Sequence, residues 1–355
     1  MTKYVIKRIA LMVPTLLGIS FVVFALIRFA PGDPISLSVR GEGGDMAAQG
    51  GDRDALIKLR MSRYGLDKPI PVQYVQWLLR MANGLVRGDL GVSITEKRPV
   101  TEMIAERIGA TIRLNVVSLF LTYLLAIPIG LIAAKNRYAD PLRRAVFDTG
   151  SGVAVLIMYS IPAIVLGLML IVIFAKGGKL EGYLRVHHPD WLWVIMPVGG
   201  MHDDQADRLS TWAYLGDGVR HMILPVMTLT IGNLAYMAKL SRTSLLENLR
   251  MDYVRTARAK GLPERTVVYV HAVRNSLLPM ITVMAFVLPA LIGGSIIVET
   301  LFNVNGMGLL FYTAVTRRDY PMIEAISLIG AVLTLVAMLL ADLLLAAVDP
   351  RVRYD

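Results

Sequence analysis

Six stretches of this chain run without a single Lys, Arg, Asp or Glu for about the distance a helix needs to cross a bilayer. They are residues 9–27, 114–134, 149–175, 221–238, 276–298 and 325–341. A crossing takes roughly 20 apolar residues at 1.5 Å each. Hydrocarbon offers no partner to a peptide group, so each stretch is predicted to satisfy its own backbone as a helix. The sixth extends through residues 343–348 if Asp342 is tolerated. A seventh apolar run, residues 191–201, is too short and holds Pro197, Gly199 and Gly200, which reads as an interfacial or re-entrant piece. The expected fold class is an all-α integral membrane protein with six transmembrane helices. Although 355 residues would make two or three soluble domains, a helical bundle uses them as one membrane domain spanning residues 1–355.

Charge sets the expected orientation, because Lys and Arg collect on the cytoplasmic side. With the N-terminus inside, that side receives Lys3, Lys7 and Arg8, then Lys135, Arg137, Arg143 and Arg144. It also receives Lys239, Arg242, Arg250, Arg255, Arg258, Lys260, Arg265 and Arg274, and finally Arg351 and Arg353. The opposite side holds the acidic run His202-Asp203-Asp204-Gln205-Ala206-Asp207. Both termini are therefore expected in the cytoplasm. This distribution accounts for the net charge of +10 without invoking nucleic acid. The first span has no small-x-small cleavage pattern around Arg28-Phe29-Ala30-Pro31-Gly32-Asp33-Pro34 and is read as retained. With no cysteine, disulfides, thiolate metal sites and a cysteine nucleophile are excluded.

Residues 31–108 form a small helical extracytoplasmic insertion between helices one and two. Pro31-Gly32-Asp33-Pro34 stops the first helix. Asp52 or Asp54 caps a helix through about Tyr64 that Gly65 ends. Pro71 opens another, with Val72, Val75, Leu78 and Leu79 on one face. Gly88-Asp89-Leu90-Gly91 is a turn, and a further helix from Pro99 or Thr101 is expected to run into span two. The insertion is either a packing lid or a contact surface for substrate or a delivering protein.

The loop at residues 242–279 carries the densest positive charge. Asp252-Tyr253-Val254-Arg255-Thr256-Ala257-Arg258-Ala259-Lys260-Gly261 reads as a short helix with a glycine stop, followed by Leu262-Pro263 and a new helix near Glu264. That second helix carries Val267, Val268, Val270, His271 and Val273, and Pro279 marks entry to span five. Ala257, Ala259 and Gly261 would allow close approach of a partner, while Arg255, Arg258 and Lys260 would meet carboxylates. The residues alone leave a second reading open, a basic amphipathic helix on anionic lipid.

The pattern of residues 253–262, followed by His271-Ala272-Val273-Arg274-Asn275-Ser276-Leu277-Leu278-Pro279, resembles the peptide-type signature loop of ABC-importer permeases. These are the binding-protein-dependent inner-membrane components of the dipeptide and oligopeptide group. The general signature opens Glu-Ala-Ala and reaches its glycine after three further residues. Here Arg255, Thr256 and Ala257 precede Gly261, and the missing Glu is usual for the peptide branch. Arg28–Pro34, Gly88–Ser93, Glu299–Leu309, Arg318-Asp319-Tyr320-Pro321 and Val348-Asp349-Pro350-Arg351 resemble further family patches in the same order. The resemblance implies a permease that moves a small peptide or related solute by alternating access. Nickel, glutathione and oligosaccharide are the alternative cargoes. It implies a second permease subunit, a paralogue, and two ATP-binding subunits that carry ATP and Mg. It also implies an extracytoplasmic substrate-binding protein and surrounding membrane lipid. It assigns coupling to the ATPase to Arg255, Thr256, Ala257, Arg258, Ala259, Lys260 and Gly261.

The chain itself is not expected to be an enzyme or to bind a cofactor. No Walker A motif occurs, and Gly177-Gly178-Lys179-Leu180 lacks both its spacing and its hydroxyl residue. His187, His188 and Asp190, with His202, Asp203, Asp204 and Asp207, fit no standard metal spacing, so no metal site is assigned. Glu299 and Asp342 lie inside or at the edge of spans five and six, where carboxylates are costly, and are candidates for a gate or pathway. A proton relay through them would make the chain an ATP-independent secondary transporter, and a scaffold that moves nothing is the third class. Gly293, Gly294, Ser295 and Gly330 are expected to permit close helix packing.

Overall fold

A computed structural model describes residues 2–29, 62, 67–136, 142, 149–188, 195–203 and 205–348. The expected helix at 52–64, the Pro31–Pro34 stop, residues 191–194, Arg137, Arg143, Arg144, Asp190, Asp204, Arg351 and Arg353 lie outside these. The chain divides into two compact units, one built from Met1–Gly109 and Leu310–Val336, the other from Ala110–Leu309 and Ala337–Arg353.

In the first unit, α1 (Thr2–Phe29) packs with α2 (Ile70–Arg87). Pro69 and Pro71 start α2, where missing N–H groups cost nothing, and Gly88 ends it. Trp77 and Met81 bury against Phe24 and Leu328, flanked by Tyr74 and Leu78. Ser20 Oγ and Tyr74 OH share a hydrogen bond of 2.9 Å. On the apolar face read from the sequence, Val72, Val75 and Leu79 are exposed. The i, i+4 row through Gln73, Trp77 and Met81 is the buried one. Trp77 removes the largest apolar area from water and decides the face.

The loop after α2 is closed by a bridge between Val92 and Pro99. Asp319, buried at the start of α14 (Tyr320–Val348), ties this loop down. Its carboxylate accepts from Ser93 Oγ and from the Ile94 N–H at 3.1 Å. Two patches far apart in sequence, Gly88–Ser93 and Arg318–Pro321, are thus one structural feature.

The second unit begins inside α3 (Val100–Asn136), a continuous helix that runs from the loop into span two as expected. Span three is not one rod. It is α4 (Ser151–Ser160) and α5 (Ala163–Phe174), bent by 98°. Pro162 supplies no N–H and pushes Ile161 out of helical geometry (φ −87, ψ 117). α6 (Lys179–His187) follows, then irregular chain, then the long α7 (Thr211–Asn248) containing span four. Beyond it lie α8 (Asp252–Ala259), α9 (Glu264–Thr266), a π-helical stretch Val267–Ala272, and α10 (Val273–Ser276). α11 (Leu278–Gly293), α12 (Ile296–Leu301) and α13 (Met307–Arg317) lead to α14.

Span five is likewise interrupted. Gly294 takes φ +74 and breaks the helix, so the Gly293-Gly294-Ser295 group makes a corner rather than a continuous packing face. The apolar helix here is displaced toward the N-terminus, covering Glu264–Met284. Among the described residues, five helices are long and apolar enough to cross a membrane, and six if the bent α4–α5 pair counts as one.

Candidate functional site

α8 has the boundaries its sequence dictates. Asp252 stands in the first turn, where a negative charge favours the helix dipole. At the far end Gly261 takes φ +76. Its N–H donates to the Arg258 carbonyl at 2.9 Å, and the Leu262 N–H reaches back to Ala257 O at 3.4 Å. A left-handed glycine with these return bonds is a C-terminal cap. Pro263 then prevents continuation.

Val254 and Ala257 anchor α8. They are buried with Ala134 of α3, Leu245 of α7, and Val267 and Ala272 of the π-helical stretch. Side chains three apart share a face, whereas 257 and 259 stand about 200° apart. The expected small face of Ala257, Ala259 and Gly261 is accordingly split: Ala257 is inside the chain's own core, and Ala259 and Gly261 are exposed. Val254 is an anchor that the charge and glycine pattern does not reveal; its i, i+3 spacing to Ala257 is the signal that could have found it.

The outward face carries charge. Arg255, Thr256, Arg258 and Lys260 are exposed. Arg255 pairs with Asp252 at 3.4 Å and Arg258 with Glu264 at 2.7 Å. The Glu264 carboxylate holds the Arg258 guanidinium above its ordinary pKa. Arg255, Arg258, Arg250, Leu246 and Leu249 line a hollow of about 310 Å³ between α8 and the end of α7. Three guanidinium groups around an apolar floor suit an acidic, partly apolar protein surface.

The helices under α8 are cross-tied through polar atoms. Ser241 Oγ of α7 donates to Ile127 O of α3 at 3.1 Å. Ser244 Oγ donates to Ser276 O at 2.9 Å, and Tyr123 OH to Met280 O at 2.8 Å. The apolar contacts of Val254 and Ala257 seat α8 on this cross-tied set of helices.

Glu299, the second candidate, is 1 % exposed on α12. Its Oε1 accepts from Thr111 Oγ1 at 2.9 Å and from the Ser295 N–H at 3.3 Å, and its Oε2 accepts from the Leu309 N–H at 3.0 Å. Thr111 Oγ1 in turn accepts from the Met307 N–H at 2.8 Å. A methyl group at Gly306 would stand 2.5 Å from both Glu299 Oε2 and Thr111 Oγ1, so glycine is required for the chain to wrap the carboxylate. This geometry orients the 294–309 segment. Asp342 is half-buried on α14, and Glu299 draws its bonds from Thr111, Ser295 and Leu309 instead. The sequence marked Glu299 but not Thr111, which lies 188 residues away.

Comparisons with known proteins place the chain in a family. Residues 126–354 match the family described as binding-protein-dependent transport system inner membrane component, and residues 1–115 match its N-terminal counterpart. The oligopeptide transport system permease protein AppB of Bacillus subtilis (strain 168) is 36% identical over all of both chains. The dipeptide transport system permease protein DppB of Escherichia coli (strain K12) is 34% identical, covering 100% of this chain and 99% of its own. An inward-facing structure of the MetNI methionine ABC transporter aligns with 70% of this chain and 96% of its own, at 17% identity and a TM-score of 0.49. With one family match spanning well over half of its length and full-length relatives above 30% identity, the chain belongs to the binding-protein-dependent transport system inner membrane components.

Proposed function

We propose that this chain is a permease subunit of an ATP-driven importer, and that its cargo is a small peptide. The observation that carries the reading is α8, a short capped helix whose one face is locked into α3, α7 and the π-helical stretch and whose other face presents Arg255, Arg258 and Lys260. A driven membrane protein needs such a lever, stiff along its backbone and packed on the spans it moves. The full-length relatives, an oligopeptide and a dipeptide permease, support the cargo.

In this reading the chain pairs with a second permease, a paralogue, and each permease seats its α8 in one of two ATP-binding subunits. Those subunits hold ATP and Mg, and an extracytoplasmic protein delivers substrate. Both termini and α8 face the cytoplasm, in line with the distribution of Lys and Arg. ATP shifts the permease between inward-open and outward-open states by binding one of them better through α8. Glu299 acts on the outer side as a clasp that keeps the 294–309 segment in one shape.

The test is uptake of a radiolabelled dipeptide by cells in which this chain is replaced by the Arg255→Glu, Arg258→Glu double variant. The expected result is loss of uptake and of ATPase co-purification, with the variant inserted at normal abundance. Full uptake by the double variant would overturn the role of α8. Uptake that survives deletion of the ATPase partners would make the chain a secondary transporter.

A further inference from the structure

The segment ahead of α7 gathers side chains that are scattered in the sequence. His202 and Asp203 lie against the first turns of α7, where Asp217 and His221, four residues apart, share a face. His221 is 3% exposed. Its Nδ1 sits 2.9 Å from the Asp217 backbone carbonyl, so Nδ1 carries the hydrogen and Nε2 presents its lone pair. That lone pair faces Asp203 Oδ1 at 3.6 Å. Asp217 Oδ2 accepts from His202 Nδ1 at 3.1 Å and from the Asp203 N–H at 3.0 Å, which leaves Oδ1 turned toward the His221 ring, 3.3 Å from Nδ1. His202 is held in place by stacking on Tyr214, with ring centroids 4.0 Å apart. One donor atom from each of Asp203, Asp217 and His221 lies within 4.8 Å of the other two.

Two carboxylates gathered at one imidazole, Asp203 facing the Nε2 lone pair and Asp217 beside Nδ1, repel one another unless positive charge sits among them. We propose that Asp203, Asp217 and His221 form a binding site for a divalent transition-metal ion of the Zn²⁺ type. Nitrogen and oxygen donors about 2.0–2.2 Å from such an ion lie roughly 3–4 Å from one another. The exposed Asp203 side chain closes the remaining gap by rotation. Two carboxylates neutralise the ion, and the imidazole selects against Ca²⁺ and Mg²⁺, which take oxygen ligands. The outer bonds fit as well. His221 donates Nδ1–H to a backbone carbonyl, and His202 fixes Asp217, the kind of support that orients metal ligands. Three protein ligands leave a fourth position for water or an external group. Occupancy fastens the irregular segment at Asp203 to α7 on two successive turns. The site does not depend on what the chain transports.

The test uses the full-length chain, purified in detergent without a polyhistidine tag and stripped with chelator. Zn²⁺ is titrated against a competing chromophoric chelator. One equivalent should bind, and Asp203→Asn and His221→Gln should each weaken it by more than about a hundredfold, beyond the loss typical of an outer-shell partner. His187→Ala, which removes a histidine stacked on Tyr183 instead, should bind as the parent does. Because Asp203 is exposed, Asp203→Asn keeps the fold and decides the matter even if the His221 variant does not fold. Absence of stoichiometric Zn²⁺ binding would overturn the proposal. Unchanged affinity in Asp203→Asn would overturn it equally.

Discussion

Charge is handled in opposite ways at α12 and at α8. Glu299 is buried, and its carboxylate is filled by a threonine hydroxyl and two backbone N–H groups, none of them a formal charge. The α8 cations are exposed, and the ion pairs of Arg255 and Arg258 are made with local carboxylates. Removing one partner of a buried bonded group leaves the others unsatisfied in a medium that cannot replace them, whereas surface ion pairs contribute little. The first arrangement holds the chain to itself. The second is free to be re-paired by another protein at small cost. In a chain this apolar, the access of water to a charge is what sets these two arrangements apart.

The comparison is most exposed to Glu299→Ala. Three donors lose their acceptor, and the expected loss is on the order of 3 kcal/mol or more, read as a lower thermal midpoint in detergent and a poorer yield. Thr111→Val should reproduce part of it, because Thr111 links Glu299 to Met307. A Glu299→Ala chain as stable as the parent would erase the distinction. Next comes Gly261. Its positive φ disfavours any β-branched residue, so Gly261→Val should cost about 1–2 kcal/mol, while Gly261→Asn should be nearly neutral. Gly261→Asp should keep most of the stability yet reduce ATP-driven uptake, since open space surrounds the position within the chain and the added charge meets only a partner. Arg255→Ala should leave the thermal midpoint unchanged and lower the yield of co-purified ATPase.

The smallest effect is expected at Glu181, a carboxylate at the N-terminal end of α6 that falls between the two classes. The Gly177 N–H and then Arg185 hold its pKa below the ordinary carboxylate range. A depressed folded-state pKa stabilises above the unfolded value near 4.3 and is lost as pH falls through the folded one. Stability measured from pH 6 down to pH 3 should therefore fall less steeply in Glu181→Gln than in the parent. Identical slopes would place Glu181 with the charges that contribute nothing.

Hydropathy located the crossings because the cost of burying charge adds along a segment. It was silent on their straightness, because that is a property of single backbone positions. Ile161-Pro162 and Gly294-Ser295 are apolar or small and raised no signal in a sum, yet one removes an N–H and the other adopts a conformation that ends a helix. The ends of α8 were legible for the converse reason: Asp252, Gly261 and Pro263 act locally, through caps that need no distant partner. Its faces were not, since two small residues two apart resemble a stripe in text and oppose each other on a helix. The Glu299 site was half legible. An unpartnered carboxylate beside a span demands acceptor satisfaction, but nothing near it in sequence names Thr111, and no standard metal spacing joins Asp203 to His221.

The corner at Ile161-Pro162 has a bearing on compartments. Helices of 10 and 12 residues reach about 15 and 18 Å, so neither alone matches the thickness of a hydrocarbon slab and only the two together count as one crossing. A chain that traverses a membrane an even number of times finishes on the side where it started, and an odd count separates its ends. Among the described residues the other five apolar helices make an odd number, so the shared cytoplasmic side proposed for both termini needs the bent pair as a sixth crossing. Whether Ser151 and Phe174 emerge on opposite faces is thus the parity bit of the whole polypeptide. The bend at Pro162 therefore falls in the element on which the proposed shared compartment of the two termini turns.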